Sequence, residues 1–204
     1  MQPPVNDMQN LGLSTSTPRT ESRLKSIFWP SIQNQTDVDY LGRQGFWLCL
    51  IPAGQSLLFA MIYRRFPAVL VVFLGYFLFY ASAAIGIRER DRLAASAAFL
   101  VFLLSLINYL RVAAAGASRG LFDFGGVLNY FIAALLLANV RATWIAAASL
   151  RGADFTSERL NETMIDKFSD RMPALVWPVL RFVFAVAAVL LIGWLLWGQI
   201  VMKR

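Results

Sequence analysis

The sequence predicts an all-α integral membrane protein: a bundle of about five transmembrane helices with a disordered N-terminal tail and one cytoplasmic amphipathic helix. Three observations carry this reading. Two charge-free apolar runs, Phe66–Ile87 and Leu93–Leu110, are hinged on Arg88-Glu89-Arg90-Asp91-Arg92. At ~1.5 Å per residue each run makes about 27–33 Å of helix, the thickness of a bilayer's hydrocarbon core. The 204 residues are 58% hydrophobic and 15% charged, with a mean hydropathy of +0.57. A soluble domain sits near ~45–50% apolar and ~25% charged, so both departures run toward the membrane. Finally, the basic residues behind the net charge of +7 stand mostly beside apolar runs. That placement matches the crowding of Lys and Arg into cytoplasmic loops and argues against a nucleic-acid partner.

The N-terminal segment, 1–35, begins with residues rich in Gln, Pro, Asn, Ser and Thr. Such a stretch buries too little surface to offset its ordering entropy, so it is expected to be disordered. It lacks the apolar run of a signal peptide and the glycine of a myristoylation site. Ser26-Ile27-Phe28-Trp29-Pro30 reads as an interfacial anchor, with Trp29 at head-group depth. A four-helix membrane region follows over 36–150. Thr36-Asp37-Val38-Asp39 has the hydroxyl and early acid of a helix start, leading into a first span at 46–63. Pro52 and Gly54 predict a kink there.

Arg64-Arg65-Phe66-Pro67 leaves so short a loop that the first two spans must be antiparallel neighbours. Spans two and three are placed at 66–87 and 93–110. Ser82 and Gly86 on one, and Ala94 and Ala98 on the other, repeat at the four-residue spacing that lets helix backbones approach in lipid. Span four, 126–140, is marginal in length and needs Arg141 to snorkel outward. Residues 151–173 form a polar segment in which Leu160, Met164, Phe168 and Met172 make one helical stripe. Its opposite face mixes acids and bases, which suits a protein partner better than anionic lipid. Pro173 is expected to end that helix. The C-terminal span, within 174–204, is charge-free from Phe182 to Val201, with Trp177 at one interface and Trp194 and Trp197 at the other.

Threaded as five spans, one side collects thirteen basic residues and the other six. The bias puts the N-terminus in the cytoplasm of a plasma membrane, here a bacterial inner membrane, and the C-terminus outside. Without the fourth crossing, the last span would reverse.

The absence of histidine excludes every imidazole-dependent ligand set, triad and proton relay. The single cysteine, Cys49, excludes an internal disulfide and reads as packing. No acid falls inside the assigned spans, which weakens ion-coupled transport. Neither a cofactor nor an enzymatic role is expected. Gln55, Asn108, Asn129 and Asn139 are candidate interhelical polar contacts, with an amide-lined solute path as the alternative. Arg88, Arg90 and Arg92 are candidates for lipid or partner contact, with a solvated loop as the plainer reading, and Arg141 is placed to pair with Asp91 or Glu89. Leu160, Met164 and Phe168 are candidates for the partner-facing stripe. The expected partners are membrane lipids and either another protein or a second copy of the chain. The function expected is that of a non-enzymatic accessory, scaffold or assembly subunit of a membrane complex, the alternative being a small-solute transporter or channel component acting as a homo-oligomer.

Overall fold

The computed structural model describes residues 25, 28–32, 35–114, 124–149 and 164–201. The expectations for 1–24, for the 115–123 loop and for Leu160 within 151–163 lie outside the described residues. Among the described residues five long helices follow one another: α1 (Gln35–Ile62), α2 (Pro67–Arg88), α3 (Arg92–Ala114), α4 (Phe124–Ser149) and α5 (Met164–Val201). Each contains a segment long and apolar enough to cross a membrane. No strand occurs among the described residues. This is the architecture of an integral membrane protein.

The local starts and stops follow the sequence closely. Phe66 is extended, at φ −112° and ψ 93°, and Pro67 opens α2. A residue before proline avoids the helical region, while proline at the first helical position gives up only an amide that has no partner there anyway. Phe59 and Tyr63 at the end of α1 bring their rings to 5.3 and 5.9 Å from that of Phe73 on α2. These contacts staple the short turn.

Helices α1 to α4 form a ring in which α1 borders α2 and α4, while α3 borders α2 and α4. The α1–α2 interface is the most extensive of all. Helix α5 lies outside the ring, in the groove between α2 and α3. Only 17% of its membrane segment is buried, against 44% for α1 and α4, so it is the peripheral member. The core is dominated by alanine: Ala83 and Ala84 on α2 and Ala94 and Ala98 on α3 are wholly buried. Small side chains let these backbones close up where lipid supplies no hydrophobic drive.

Two expectations are corrected. Pro173 does not end a helix, because α5 runs unbroken through Pro173 and Pro178. Each proline lacks an amide proton and costs about 3 kcal/mol in an isolated helix. Tertiary packing overrides that cost. Trp177 and Phe184 are 6% and 1% exposed, and the Phe184 ring stacks on Phe79 at 5.2 Å. Helix α4 likewise does not stop at residue 140 but continues through Arg141 to Ser149. The Arg141 guanidinium donates to the Pro30 carbonyl at 2.7 Å and lies 4.7 Å from the Trp29 ring. With those partners the arginine needs no helix end to reach a polar group.

Candidate functional site

Polar groups collect in two places, one at the end of the bundle carrying the Arg88–Arg92 hinge and one in the opposite half. At the hinge, the Arg90 amide donates to Ile87 O and the Asp91 amide to Gly86 O, both at 2.9 Å. This crossed pair closes the C-terminus of α2, with Arg90 in the left-handed position at φ 58°. Glycine is the usual occupant, since a side chain there meets the following carbonyl. Asp91 then opens α3 by accepting the Leu93 amide at 2.8 Å.

Two carboxylates organise the arginines. Asp39 of α1 accepts Arg88 Nη1 at 2.9 Å and Arg90 Nη2 at 2.7 Å, with its side chain only 5% exposed. Arg88 Nη1 also donates to the Asp39 carbonyl at 3.1 Å. Asp91 accepts Arg181 Nε at 2.7 Å and Trp177 Nε1 at 3.1 Å. The first carboxylate ties α1 to the end of α2, and the second ties the start of α3 to α5. Buried charges persist only when paired and hydrogen-bonded, and both carboxylates meet that condition.

The candidates therefore separate. Arg88 is 1% exposed, so the solvated-loop reading is wrong for it, and it is unavailable to lipid. Arg90, at 10% side-chain exposure, is held by the same carboxylate. Arg92 is exposed and stacks over the Trp144 ring at 5.3 Å. Trp144 in turn donates to Ser96 Oγ at 3.1 Å. Arg141 joins Trp29 and Pro30 rather than Asp91 or Glu89. The Trp177 indole is buried against Gly86 rather than exposed on the outer surface of the bundle.

Sequence reasoning missed Asp39, placing it ahead of the first span. Helix α1 begins at Gln35, so Asp37 and Asp39 are buried in its first turns. A signal was present. Antiparallel neighbours put the start of α1 beside the end of α2, where an acid and an arginine face each other. Arg181 was passed over in the same way, as a flank of the last span.

The four amides divide three to one. Asn139, 2% exposed, donates Nδ2 to Leu41 O at 2.7 Å and joins α4 to α1 near the hinge end. Gly45 admits that approach, since a Cβ there would lie 2.5 Å from Asn139 Nδ2. Gln55, Asn108 and Asn129 instead border a cleft of about 350 Å³ in the far half of the bundle. Hydroxyls of Ser56, Ser105 and Tyr76 share it. All five helices contribute to its wall, α5 through Leu195. The sequence named these amides and left open whether they met. Cys49 is fully buried. For Met164 and Phe168 the backbone is helical, as the first part of α5.

Comparison with protein-family models, with curated proteins and with solved structures finds no match for this chain.

Proposed function

We propose that this protein is a non-enzymatic membrane subunit, a helical scaffold that presents a rigid handle to a partner on the cytoplasmic side of a plasma membrane. The observation that carries the reading is the continuity of α5. Its membrane segment, Pro173–Gly198, is preceded in the same helix by residues 164–172. Met164 and Phe168, four apart, share one face of that extension, which is continuous with the spanning part. The carboxylates at the hinge support the same reading, because Asp39 joins α1 to α2 and Asp91 joins α3 to α5. The basic-residue bias makes the hinge end cytoplasmic, with the N-terminus on that side. Arg92 and Arg181, the exposed arginines of the hinge, then meet anionic head groups.

The test is a photo-cross-linking residue at position 168 in the native membrane, followed by gentle extraction and mass spectrometry of the adduct. A single heterologous protein, lost when Met164 is changed to Ser, is the expected result. Adducts to lipid or to the same chain alone would overturn the scaffold reading.

A second reading, a small-solute transporter or channel component working as a homo-oligomer, is favoured by the far-half cleft. Flux into proteoliposomes that stops in Asn108→Leu would support it over the first.

A further inference from the structure

A groove of about 820 Å³ opens at the hinge end, walled by α3, α4 and α5. We propose that it binds the phosphodiester head group of a singly anionic phospholipid, held by Arg92 and Arg181. This deepens the head-group contact proposed above for these two arginines. It rests on the hinge end lying at a membrane face, not on a partner at α5.

The donors come first. Arg92 is exposed, and its guanidinium lies over the Trp144 ring at 5.3 Å. Trp144 is itself fixed by donating to Ser96 Oγ at 3.1 Å. Attraction to a ring face orients a guanidinium without consuming its N–H donors. Arg92 makes no ion pair among the described residues. Arg181, with its side chain 60% exposed, is anchored through Nε to Asp91 at 2.7 Å. Its two terminal nitrogens make no hydrogen bond among the described residues, so the fork is held at its base and open at its tip. Two pre-oriented guanidinium groups suit the paired oxygens of a phosphate. The acids on the groove wall are Glu89 and Asp91. Asp91 already accepts the Leu93 amide, Trp177 Nε1 and Arg181 Nε, and Glu89 is also engaged. Arg90, Arg92 and Arg181 line the groove with these two acids, which leaves one positive charge to be balanced. A phosphodiester supplies that charge, whereas a zwitterionic lipid adds none.

The walls choose a lipid over a free anion. The membrane segment of α3 begins at Arg92, and that of α5, Pro173–Gly198, contains Arg181, which Asp91 ties to the hinge. Leu93 and Pro178 line the groove and are exposed. Each is followed along its own helix by another exposed apolar side chain, Leu100 seven residues after Leu93 and Phe182 four after Pro178. Those spacings keep each pair on one helix face. Both helices run from the hinge into their apolar segments, so the apolar surface continues where the charges end. A phospholipid matches that order, with phosphate on the arginines and acyl chains on Leu93, Leu100 and Phe182. A free anion or an acidic peptide would use only the charged half. The volume lies within the roughly 300–1,000 Å³ of ligand sites, room for a head group and its glycerol unit.

The experiment uses the full-length protein, stripped of lipid in a neutral detergent and read by native mass spectrometry. Dioleoyl phosphatidylglycerol, phosphatidylethanolamine and phosphatidylcholine are titrated in competition, with glycerol 3-phosphate as the soluble probe. The expected result is a phosphatidylglycerol retained about tenfold better than either zwitterionic lipid, and glycerol 3-phosphate retained far less. Arg92→Gln and Arg181→Gln should each lower that retention about tenfold, as expected for lost hydrogen bonds between charged groups. Only variants in which the buried Cys49 stays closed to a thiol reagent are compared, and Arg92, exposed and outside any ion pair among the described residues, can be changed without opening the bundle. The double change Arg64→Gln with Arg65→Gln removes two exposed charges from the opposite end and should leave retention as it is. Equal retention of the three lipids, or parental retention in both Arg92→Gln and Arg181→Gln, would overturn the proposal. So would glycerol 3-phosphate held as tightly as the lipid, or a loss in the Arg64 and Arg65 double variant as large as that in Arg92→Gln. A missing cross-link at position 168 bears on the scaffold reading alone.

Discussion

Replacing Asp39 with Asn is the sharpest test of how the helix ends are held. The change keeps the volume and one carbonyl but removes the charge that neutralises Arg88, which is 1% exposed. Arg88 loses the carboxylate charge it holds at 2.9 Å and keeps neutral acceptors, the Asp39 main-chain carbonyl at 3.1 Å among them. Removing one member of a buried ion pair costs about 3–5 kcal/mol, because the other charge stays buried. The surviving carbonyl bond places this case at the lower end, about 3 kcal/mol, or roughly a hundredfold in the opening equilibrium. Arg90, less deeply buried, turns toward solvent and adds little. The assay is labelling of Cys49 by a membrane-permeant thiol reagent. At 0% exposure this thiol reacts only when the bundle opens, so the labelling rate reports the open fraction. The expected rate in Asp39→Asn is about a hundred times that of the parent. The double change Asp39→Leu with Arg88→Met removes both charges and should recover most of the loss. A rate within about fivefold of the parent, the scale of a surface ion pair, would refute the argument. So would a double variant as leaky as the two single changes combined.

Three further outcomes follow from packing and backbone geometry. Gly86→Ala should cost about 1–3 kcal/mol in thermal denaturation, since its Cβ would lie 2.4 Å from the Trp177 ring and 2.5 Å from the Ala94 Cβ. Arg90→Gly should be nearly neutral by the same Cys49 labelling, relief of the φ 58° backbone offsetting the lost contact to Asp39, whereas Arg90→Val should open the bundle markedly more. Trp177→Phe, which leaves Asp91 without the indole donor, should lower stability by about 0.5–1.5 kcal/mol. No change in the thermal midpoint of Trp177→Phe would show that Arg181 alone satisfies that carboxylate.

The sequence by itself determined the class of the protein and the order of its crossings. Charge-free runs of membrane length are local features, and so are the Phe66-Pro67 helix start and the basic flanks, so composition and spacing expose them directly. The small residues Gly86 and Ala94 were legible as a close approach for the same reason. The three amides that border the cleft were also legible one by one, as polar residues in apolar surroundings. What they form was not, because three helices have to converge before Gln55, Asn108 and Asn129 share a space. The tertiary structure alone decided which charges are buried. Arg88 reads as a solvated hinge residue until α1 brings Asp39 against it, and Asp91 reads as a loop acid until α5 lays Trp177 and Arg181 across it. The same packing overrode the two prolines of α5 and carried α4 past Arg141. Hydrophobic length is a property of one segment and can be summed along the chain. The partner of a charge is a property of two segments far apart in sequence, and only the fold brings them together.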